Sequence, residues 1–302
     1  MSATQAAVPA ADPPAGVRLP DYSRPRQRQA RRGENFPVAA WLLRPGRREA
    51  RSAIYGFCRL VDDLGDEDLG DAEAQLERAR EELAACYGGH PEHPIFRRLQ
   101  PVVQRFQLEP GPFSRLIEAN LQDQRVLSYR DWAELDDYCT RSATPVGELV
   151  LALEGIRDPE RVSYSDSICT GLQLANMWQD LAPDRARGRR YLPLEVLEQH
   201  HAREEDYWEG RPTPELLAAQ AHAVGRARQL LVSGWPLVSR VPGLMRVEMA
   251  TFILCGLAAA EAALRAGESV LQRRAPLPRR ARRRAVLRAA WAWRQERPPQ
   301  PP

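Results

Sequence analysis

The sequence contains no lysine, so all 43 of its basic residues are arginine, which we attribute to a compositional bias of its source. Its five cysteines show no CxxC spacing, which fits a reduced cytoplasmic compartment better than a disulfide framework. A run of about 18 apolar residues and a signal-peptide core are both absent, which predicts neither export nor a membrane-spanning helix. Alternating strand patterns and the GxGxxG and GxxxxGK(S/T) loops are also missing, which argues against a nucleotide-binding α/β protein.

The formal net charge of +3 hides an uneven distribution along the 302 residues. Ten arginines and a single acid, Glu296, lie between Arg273 and the end of the chain, which leaves 33 basic and 39 acidic residues, a net charge of −6, before it. An acidic body without a basic-aromatic motif argues against nucleic-acid binding. The length suits one large helical domain better than two small ones.

The stretch YGFCRLVDDLGDE has apolar residues at three- and four-residue steps, which predicts an amphipathic helix. Tyr55, Arg59, Asp62 and Asp66 have offsets of 0, 4, 7 and 11, so they share one face of that helix. Carboxylates this close repel each other, and a divalent cation would offset the repulsion. Mg²⁺ is held by a few carboxylates together with waters and substrate phosphates. A solvated acidic helix end is the alternative interpretation.

A second copy of this pattern occurs more than a hundred residues further on, in LQLANMWQDLAPD. Gln173, Asn176, Asp180 and Asp184 have offsets of 0, 3, 7 and 11, and large apolar residues such as Trp178 fill the rest of the turn. Acids in an apolar setting are costly unless they are paired or bound to metal. Two such helices facing each other would surround one diphosphate bridged by Mg²⁺, and this interpretation is preferred over a solvated face.

The remaining pattern predicts a disordered lead over residues 1–32, a short helix over 34–43 and a succession of helices after it. Asp131 is a candidate N-cap for a helix that continues to about Leu153. The predicted helices cover about 71–88, 94–107, 112–127, 131–153, 159–181, 193–200, 213–232 and 244–266. Pro145 and Gly147 lie inside one of them and mark either a plain kink or a place where a substrate chain passes. Pro183 is expected to end the second acid-bearing helix.

The end of the chain, residues 278–302, mixes arginines with apolar residues and tryptophans. This composition is typical of a helix that lies in a membrane interface. A terminal helix packed on the core remains open, whereas a nucleic-acid patch is disfavoured by the acidic body. The apolar residues of this segment are Val286, Leu287, Ala290, Trp291 and Trp293.

Four stretches of the chain resemble the squalene/phytoene synthase family of head-to-head prenyl transferases, and the resemblance spans about residues 34–285. They are IYGFCRLVDDLGDE, SATPVGELVL, GLQLANMWQDLAPDRARGRRYLP and, more weakly, VLQRRAPLPRRARRR. Within the family, ENFPVAAWLL and the WQD triplet look most like the bacterial hydroxysqualene synthases of hopanoid synthesis. Phytoene synthases usually carry arginine where Gln179 stands, and we expect this glutamine to hold a water beside the second acid motif.

The resemblance implies an all-α isoprenoid-synthase fold in which residues 33–277 form one helical bundle around a central hydrophobic cavity. It implies Mg²⁺ ligands at Asp62, Asp66, Asn176, Asp180 and Asp184. It places four catalytic groups near the diphosphates, namely Tyr55, Arg59, Gln173 and Tyr191. These four, with Arg189 and Arg274, are the expected substrate-binding residues. Arg187 and Arg190 are further candidates for bidentate phosphate contacts, and Phe57, Tyr138 and Trp178 are candidates for the cavity wall. Leu257 and Glu268 stand where many members have tyrosines.

The activity implied by the resemblance is Mg²⁺-dependent conversion of presqualene diphosphate to hydroxysqualene, with release of diphosphate and no need for a hydride donor. The alternatives are a presqualene diphosphate, squalene or phytoene synthase, which join two prenyl diphosphates. A non-catalytic assembly factor of the same fold is disfavoured because all five expected metal ligands are present. The expected location is the cytoplasm, with peripheral attachment to a membrane surface and no nucleic-acid partner.

Overall fold

The computed structural model describes residues 19–20, 45–66, 71–292 and 294–295 of the protein. Most of the predicted disordered lead, the predicted short helix over 34–43 and Trp293 lie outside these residues. Within them the chain is all-α, as predicted, and its only β-type pairing is an isolated bridge between Ser128 and Arg190.

The helices follow one another with short connections, and most lie within a few residues of their predicted positions. In chain order they are α1 Pro45–Asp66, α2 Ala72–Gly88, α3 Pro94–Phe106, α4 Pro110–Gln122, α5 Trp132–Ser142, α6 Thr144–Ala152, α7 Pro159–Gln179, α8 Leu181–Ala186, α9 Leu194–Gln199, α10 Glu204–Glu209, α11 Pro214–Ser233, α12 Leu237–Arg240, α13 Met245–Ala266 and α14 Arg279–Ala292. A 3₁₀ turn, Gly267–Leu271, follows α13.

The predicted helix over 131–153 is in fact two helices, and the prediction of one continuous helix is wrong. Asp131 caps α5 as predicted, because its side chain accepts a hydrogen bond from the Glu134 amide. Ala143 then departs from helical geometry, with φ −122° and ψ −54°. Pro145 therefore lies in the first turn of α6, where its missing N–H leaves no hydrogen bond unmade.

The second acid-bearing helix, α7, also ends earlier than predicted. It stops at Gln179, and Asp180 is its C-cap, with φ −106° and ψ 19°. Pro183 does not end α7 but lies inside the short helix α8 that follows. This break sets Asp180 and Asp184 at a corner of the chain rather than on one straight helical face.

Helix α7 lies at the centre of the fold, packed against α11, α13 and α6. Two of these contacts are made at glycines. A Cβ on Gly147 would lie 2.4 Å from Ser165 Oγ and 2.7 Å from Cys169 Sγ, so α6 approaches α7 closely. A Cβ on Gly256 would lie 2.7 Å from Leu172 Cδ2, so α13 approaches α7 from another side. Gly147, singled out in the sequence, thus permits tight helix packing.

Helices α1 to α4 share an apolar cluster around Phe57, whose ring meets Phe96 and Phe113 edge-on at centroid distances of 5.8 and 5.1 Å. A second cluster surrounds Trp178, and a third joins α12, α13 and α14 around Trp235. Phe57 and Trp178 are completely buried within these clusters. The prediction that they form the wall of a substrate cavity is therefore wrong.

By length and composition, Met245–Leu271 is the one described segment that qualifies as a membrane-spanning helix, with a mean hydropathy of 1.7. However, 67% of its most apolar window is buried inside the fold. Its packing against α7, α11 and α14 is that of a core helix.

Helix α14 packs on α13 through a face of small residues, namely Ala285, Ala289 and Ala292. Leu287 and Trp291 point away from this contact and are 70% and 71% exposed. Helix α14 therefore contacts the core through alanines and leaves larger apolar side chains at the surface.

Candidate active site

The two acid-bearing segments meet in the folded chain although more than a hundred residues separate them. An Arg189 guanidinium nitrogen donates a hydrogen bond of 2.9 Å to Asp66 Oδ1, and Arg187 NH1 lies 3.7 Å from Asp66 Oδ2. Asp66 ends α1, whereas both arginines follow α8. The loop after the second acid motif thus carries positive charge to the carboxylate that ends the first.

On α1, the neighbouring carboxylates hold Arg59. Its guanidinium donates to Asp63 Oδ1 at 2.5 Å and lies 3.8 Å from Asp62 Oδ2. Asp63 is buried and holds the guanidinium on the inner side of α1, whereas the Asp62 side chain is about half exposed. Tyr55, one turn before Arg59, is half-buried and lines an apolar cavity.

At least one carboxyl group in each acid motif has a raised pKa. Asp62 is 49% accessible, but the walls of the cleft displace much of its hydration. This loss, strengthened by the nearby charges of Asp66 and Asp63 and opposed by Arg59, raises the pKa of Asp62 to about 7. Burial and the charge of Asp180 raise the pKa of Asp184 to about 7. Without a cation, the cleft therefore holds carboxylates that would repel one another when ionised.

The donor set suits Mg²⁺. Carboxylates from Asp62, Asp66, Asp180 and Asp184, with the half-buried amide of Asn176, provide the oxygen ligands that this ion prefers. Among the residues that the structure describes, no three carboxylate, histidine or cysteine side chains converge into a ready-made cage. That arrangement is compatible with Mg²⁺, which is commonly held by one or two carboxylates together with substrate phosphates.

Arg274 extends the positive wall of the cleft to the second motif. Its Nε lies 2.7 Å from Asp180 Oδ1. The loop that carries it is fixed by Gln179, whose side-chain amide donates to the Ala275 carbonyl at 2.6 Å, while the Ala275 amide donates to the Gln179 carbonyl at 2.9 Å. Burial raises the pKa of Asp180, and the charge of Arg274 opposes that rise.

The prediction that Gln179 holds a water in the cleft is wrong, because its side chain is fully buried and bonded to Ala275. Gln179 instead positions Arg274. The prediction for Arg190 is also wrong. Its guanidinium is buried and donates to the carbonyls of Tyr129 and Leu192, so it stabilises the loop rather than binding phosphate.

A cluster of tyrosines lies beside Arg189. The ring of Tyr191 stacks on that of Tyr129 at a centroid distance of 5.8 Å and also meets Tyr138 at 5.8 Å. The Tyr138 hydroxyl donates a hydrogen bond of 2.7 Å to Asp123 Oδ2. Burial raises the pKa of Asp123 to about 6, and the hydrogen bond from Tyr138 opposes the rise.

Sequence reasoning missed Asp123 altogether. It directly follows α4 and has no partner at helical spacing in either acid motif. Only the packing of α4 against α5 brings it to Tyr138. Asn120 was missed for the same reason, although its side chain makes a hydrogen bond to Asp62.

An apolar cavity of about 260 Å³ lies between α1, α6, α7 and α13. Its lining residues Cys58 and Leu172 each precede a proposed metal ligand, Asp62 or Asn176, by one helical turn. It is lined by Arg51, Ile54, Tyr55, Cys58, Val146, Gly147, Val150, Ser165, Ile168, Cys169, Leu172, Glu248, Met249 and Phe252. Gln173 directly follows the lining residue Leu172 on α7 and precedes Asn176 by three residues. The alternative that a substrate chain passes beside Gly147 is compatible with this lining.

A larger cavity, of about 840 Å³, lies between α13 and α14. Its lining includes Leu257 and Arg274 together with arginines from the end of the chain, such as Arg280 and Arg284. Arg274 contacts Asp180, so this space reaches the edge of the acid cleft.

An all-α chain in which two acid motifs and several arginines meet beside an apolar cavity defines the class of isoprenoid synthases. Within that class, the chain belongs to the squalene/phytoene synthase family, whose family model matches residues 29–281. Members of this family are enzymes that act on prenyl diphosphates and use a divalent metal to bind the diphosphate.

The relatives refine this placement. The chain is 33% identical to the hydroxysqualene synthase of Rhodopseudomonas palustris over 217 residues, which cover 72% of this chain and 74% of that protein. It is 34% identical to the presqualene diphosphate synthase of the same organism over 168 residues, which cover 55% of this chain and 60% of that protein.

Among solved structures, the squalene synthase HpnC from Alicyclobacillus acidocaldarius is similar, with a TM-score of 0.72 and 42% identity over 76% of this chain and 87% of that one. A dehydrosqualene synthase, at 20% identity and a TM-score of 0.72 over 87% of this chain and 93% of that one, shares the fold.

We expect Asp62→Ala and Asp180→Ala each to lower turnover by orders of magnitude without loss of helical structure, because each removes one oxygen ligand from the proposed metal set. Diphosphate release with Mg²⁺ and circular dichroism measure the two properties. Asp137→Ala, at an exposed position on α5, is the control and should retain activity. Normal Mg²⁺-dependent turnover in either cleft variant would contradict the assignment.

The raised pKa values of Asp62 and Asp184 predict a pH effect on stability. The folded-state pKa lies near 7 and the ordinary value is 3.8, so the stabilising contribution of each protonated carboxyl is lost as pH rises from about 4 through 7. In EDTA, we expect Asp184→Asn to have a higher Tm than the unaltered protein at pH 8 and a clearly smaller advantage at pH 5, because part of the contribution is already lost there. Mg²⁺ should narrow the gap at pH 8. An equal gap at both pH values would refute this account.

Proposed function

We propose that this protein converts presqualene diphosphate to hydroxysqualene with Mg²⁺ and releases diphosphate. The observation that supports it most is the meeting of two acid motifs and the arginines Arg59, Arg189 and Arg274 beside an apolar cavity. The choice of product is supported by similarity to hydroxysqualene synthases over more than two thirds of the chain. The similarity to a presqualene diphosphate synthase supports a second candidate, the joining of two prenyl diphosphates.

In this proposal the arginines bind the diphosphate oxygens, and the apolar cavity takes the hydrocarbon. Arg189 and Arg274 are already held by Asp66 and Asp180, so each carboxylate orients a guanidinium toward the cleft. The five oxygen ligands would hold Mg²⁺, which would supply neutralising charge for the leaving diphosphate. The carbon–oxygen bond breaks with its electron pair on the diphosphate, and the apolar lining keeps bulk water from the carbocation.

One water must reach the carbocation at the end of the reaction and lose a proton. The Tyr138 hydroxyl and Asp123 form a hydrogen-bonded pair beside the cleft that can accept this proton. With a pKa of about 6, Asp123 is largely ionised at neutral pH, and its carboxylate is a better base than a neutral tyrosine hydroxyl. The new carbon–oxygen bond makes the product an alcohol, and no reductant is consumed.

We expect presqualene diphosphate to be turned over to a C30 alcohol without NADPH, with the alcohol oxygen taken from solvent. Incubation in ¹⁸O-labelled water and mass analysis of the product measure this. An unlabelled hydrocarbon would indicate a squalene-forming enzyme, and accumulation of presqualene diphosphate from farnesyl diphosphate would indicate the preceding step. An assembly factor would release no diphosphate from either substrate.

We also propose that α14 attaches the protein to an anionic membrane surface. Leu287 and Trp291 are one turn apart and largely exposed, and the exposed Arg283 and Arg284 lie one turn before Leu287. Apolar side chains beside arginines suit the boundary between acyl chains and anionic headgroups. A C30 product is itself apolar, so release at a membrane would spare it from water.

We expect Leu287→Ser/Trp291→Ser to weaken binding to vesicles of anionic lipid, while binding by the unaltered protein falls as salt rises, because charges are screened within about 8 Å at physiological ionic strength. Point variants are preferred to truncation, since loss of α14 would uncover α13. Val232→Ser, at an exposed position on α11, is the control. Equal flotation of the double variant and the unaltered protein would exclude this role for α14.

A further inference from the structure

The apolar cavity beside the acid motifs contains one charged pair that the proposed mechanism does not use. Arg51 of α1 and Glu248 of α13 form a salt bridge, and each side chain is 5% exposed. Both residues line the cavity, whose other walls are mostly apolar, including Ile54, Val150 and Phe252. An ion pair is therefore buried in a space that is otherwise suited to hydrocarbon.

The pair lies at the end of the cavity opposite to the acid motifs. On α1, the lining residues Arg51 to Cys58 precede Asp62, and on α7 the lining residues Ser165 to Leu172 precede Asn176. Arg51 precedes Asp62 by eleven residues, which corresponds to about 16 Å along a helix.

Helix α13, like α1 and α7, has its C-terminal end nearer to the acid motifs than its N-terminal end. The segment after its C-terminal end brings Arg274 to Asp180, so Glu248, in its first turn, lies at the far end. The separation of about 16 Å between Arg51 and Asp62 along α1 is comparable with the extended length of three isoprene units.

Separating Arg51 from Glu248 would be costly, so a bound hydrocarbon chain would not extend past them. Nε and one terminal nitrogen of Arg51, and Oε2 of Glu248, are buried without a hydrogen-bond partner in the structure. The ion pair itself therefore offsets most of the free-energy cost of burying the two charged side chains. A hydrocarbon chain that separated them would leave two buried charges unpaired, and it offers no hydrogen bond in return.

We propose that the Arg51–Glu248 ion pair ends the prenyl-binding cavity and selects the length of the prenyl chain, favouring three isoprene units over four. This inference rests on the proposed function, because it assumes that the cavity holds a prenyl chain. It adds a specificity-determining pair that touches neither the diphosphate nor the metal ligands.

The test compares binding of two unreactive probes, the thiolo analogues of farnesyl and geranylgeranyl diphosphate, in the presence of Mg²⁺. Single substitutions would leave an unpaired buried charge and risk misfolding, so both residues are changed together. Arg51→Ala/Glu248→Ala opens the far end, and Arg51→Met/Glu248→Met removes the charges but retains much of the bulk. Arg115→Ala/Glu148→Ala removes a half-buried ion pair between α4 and α6 that does not line the cavity.

We expect the alanine pair to shift the ratio of affinities toward the geranylgeranyl probe by about tenfold or more, the discrimination that apolar pockets reach for a single methylene. The methionine pair, which lacks the charges but retains much of the bulk, should shift the ratio in the same direction by less, and the Arg115/Glu148 variant should match the unaltered protein. Thermal unfolding verifies that each variant is folded.

The failures are distinguishable. Tight farnesyl-probe binding with an unchanged ratio in the folded alanine pair would overturn the chain-length role and leave the proposed function standing. If the alanine pair does not fold, the methionine pair decides the question, and a ratio equal to that of the unaltered protein would overturn the role of the ion pair. Binding of neither probe by the unaltered protein would overturn both the proposed function and this inference.

Discussion

The cost of placing several carboxylates in one poorly hydrated cleft constrains the rest of this structure. Asp62 and Asp184 are raised to pKa values near 7, so the cleft is stable only when protons, arginines or a cation compensate its negative charge. The fold provides two arginines for this purpose through long-range contacts, Arg189 to Asp66 and Arg274 to Asp180. When a diphosphate and its metal ions bind, the metal ions would compensate the carboxylates in place of protons and arginines, so substrate binding is coupled to the protonation state of the cleft.

Much of this arrangement was predictable from the sequence, because helical periodicity is local. The offsets of the acids identified both motifs, and the helices that carry them lie close to their predicted positions. The break at Asp180 was not predictable, since Pro183 appeared to be the stronger helix breaker. The real end of α7 coincides with contacts between Gln179 and Ala275, which are 96 residues apart in the chain.

The residues that were missed or misassigned share one cause. Asp123, Arg190 and Gln179 have roles that depend on which loop packs beside them, and a single sequence does not encode that in any spacing. Arg190 belongs to a basic run whose members look equivalent, yet Arg189 reaches Asp66 while Arg190 turns into the core. Which arginine of such a loop faces the cleft and which faces the core depends on the backbone conformation of the loop, and the sequence alone does not give it.

The contacts that complete the cleft join distant parts of the chain, and this has a consequence for folding. Helices α1 to α4 have a cluster of their own and can collapse early, but Arg51 meets Glu248 across 197 residues and Arg189 meets Asp66 across 123. Contacts of such high sequence separation form late and slowly. During synthesis on the ribosome, the acids of α1 therefore emerge long before the residues that pair with this part of the fold. A nascent chain that has not reached α13 lacks both Glu248 and Arg274, so neither its cavity nor its cleft is complete.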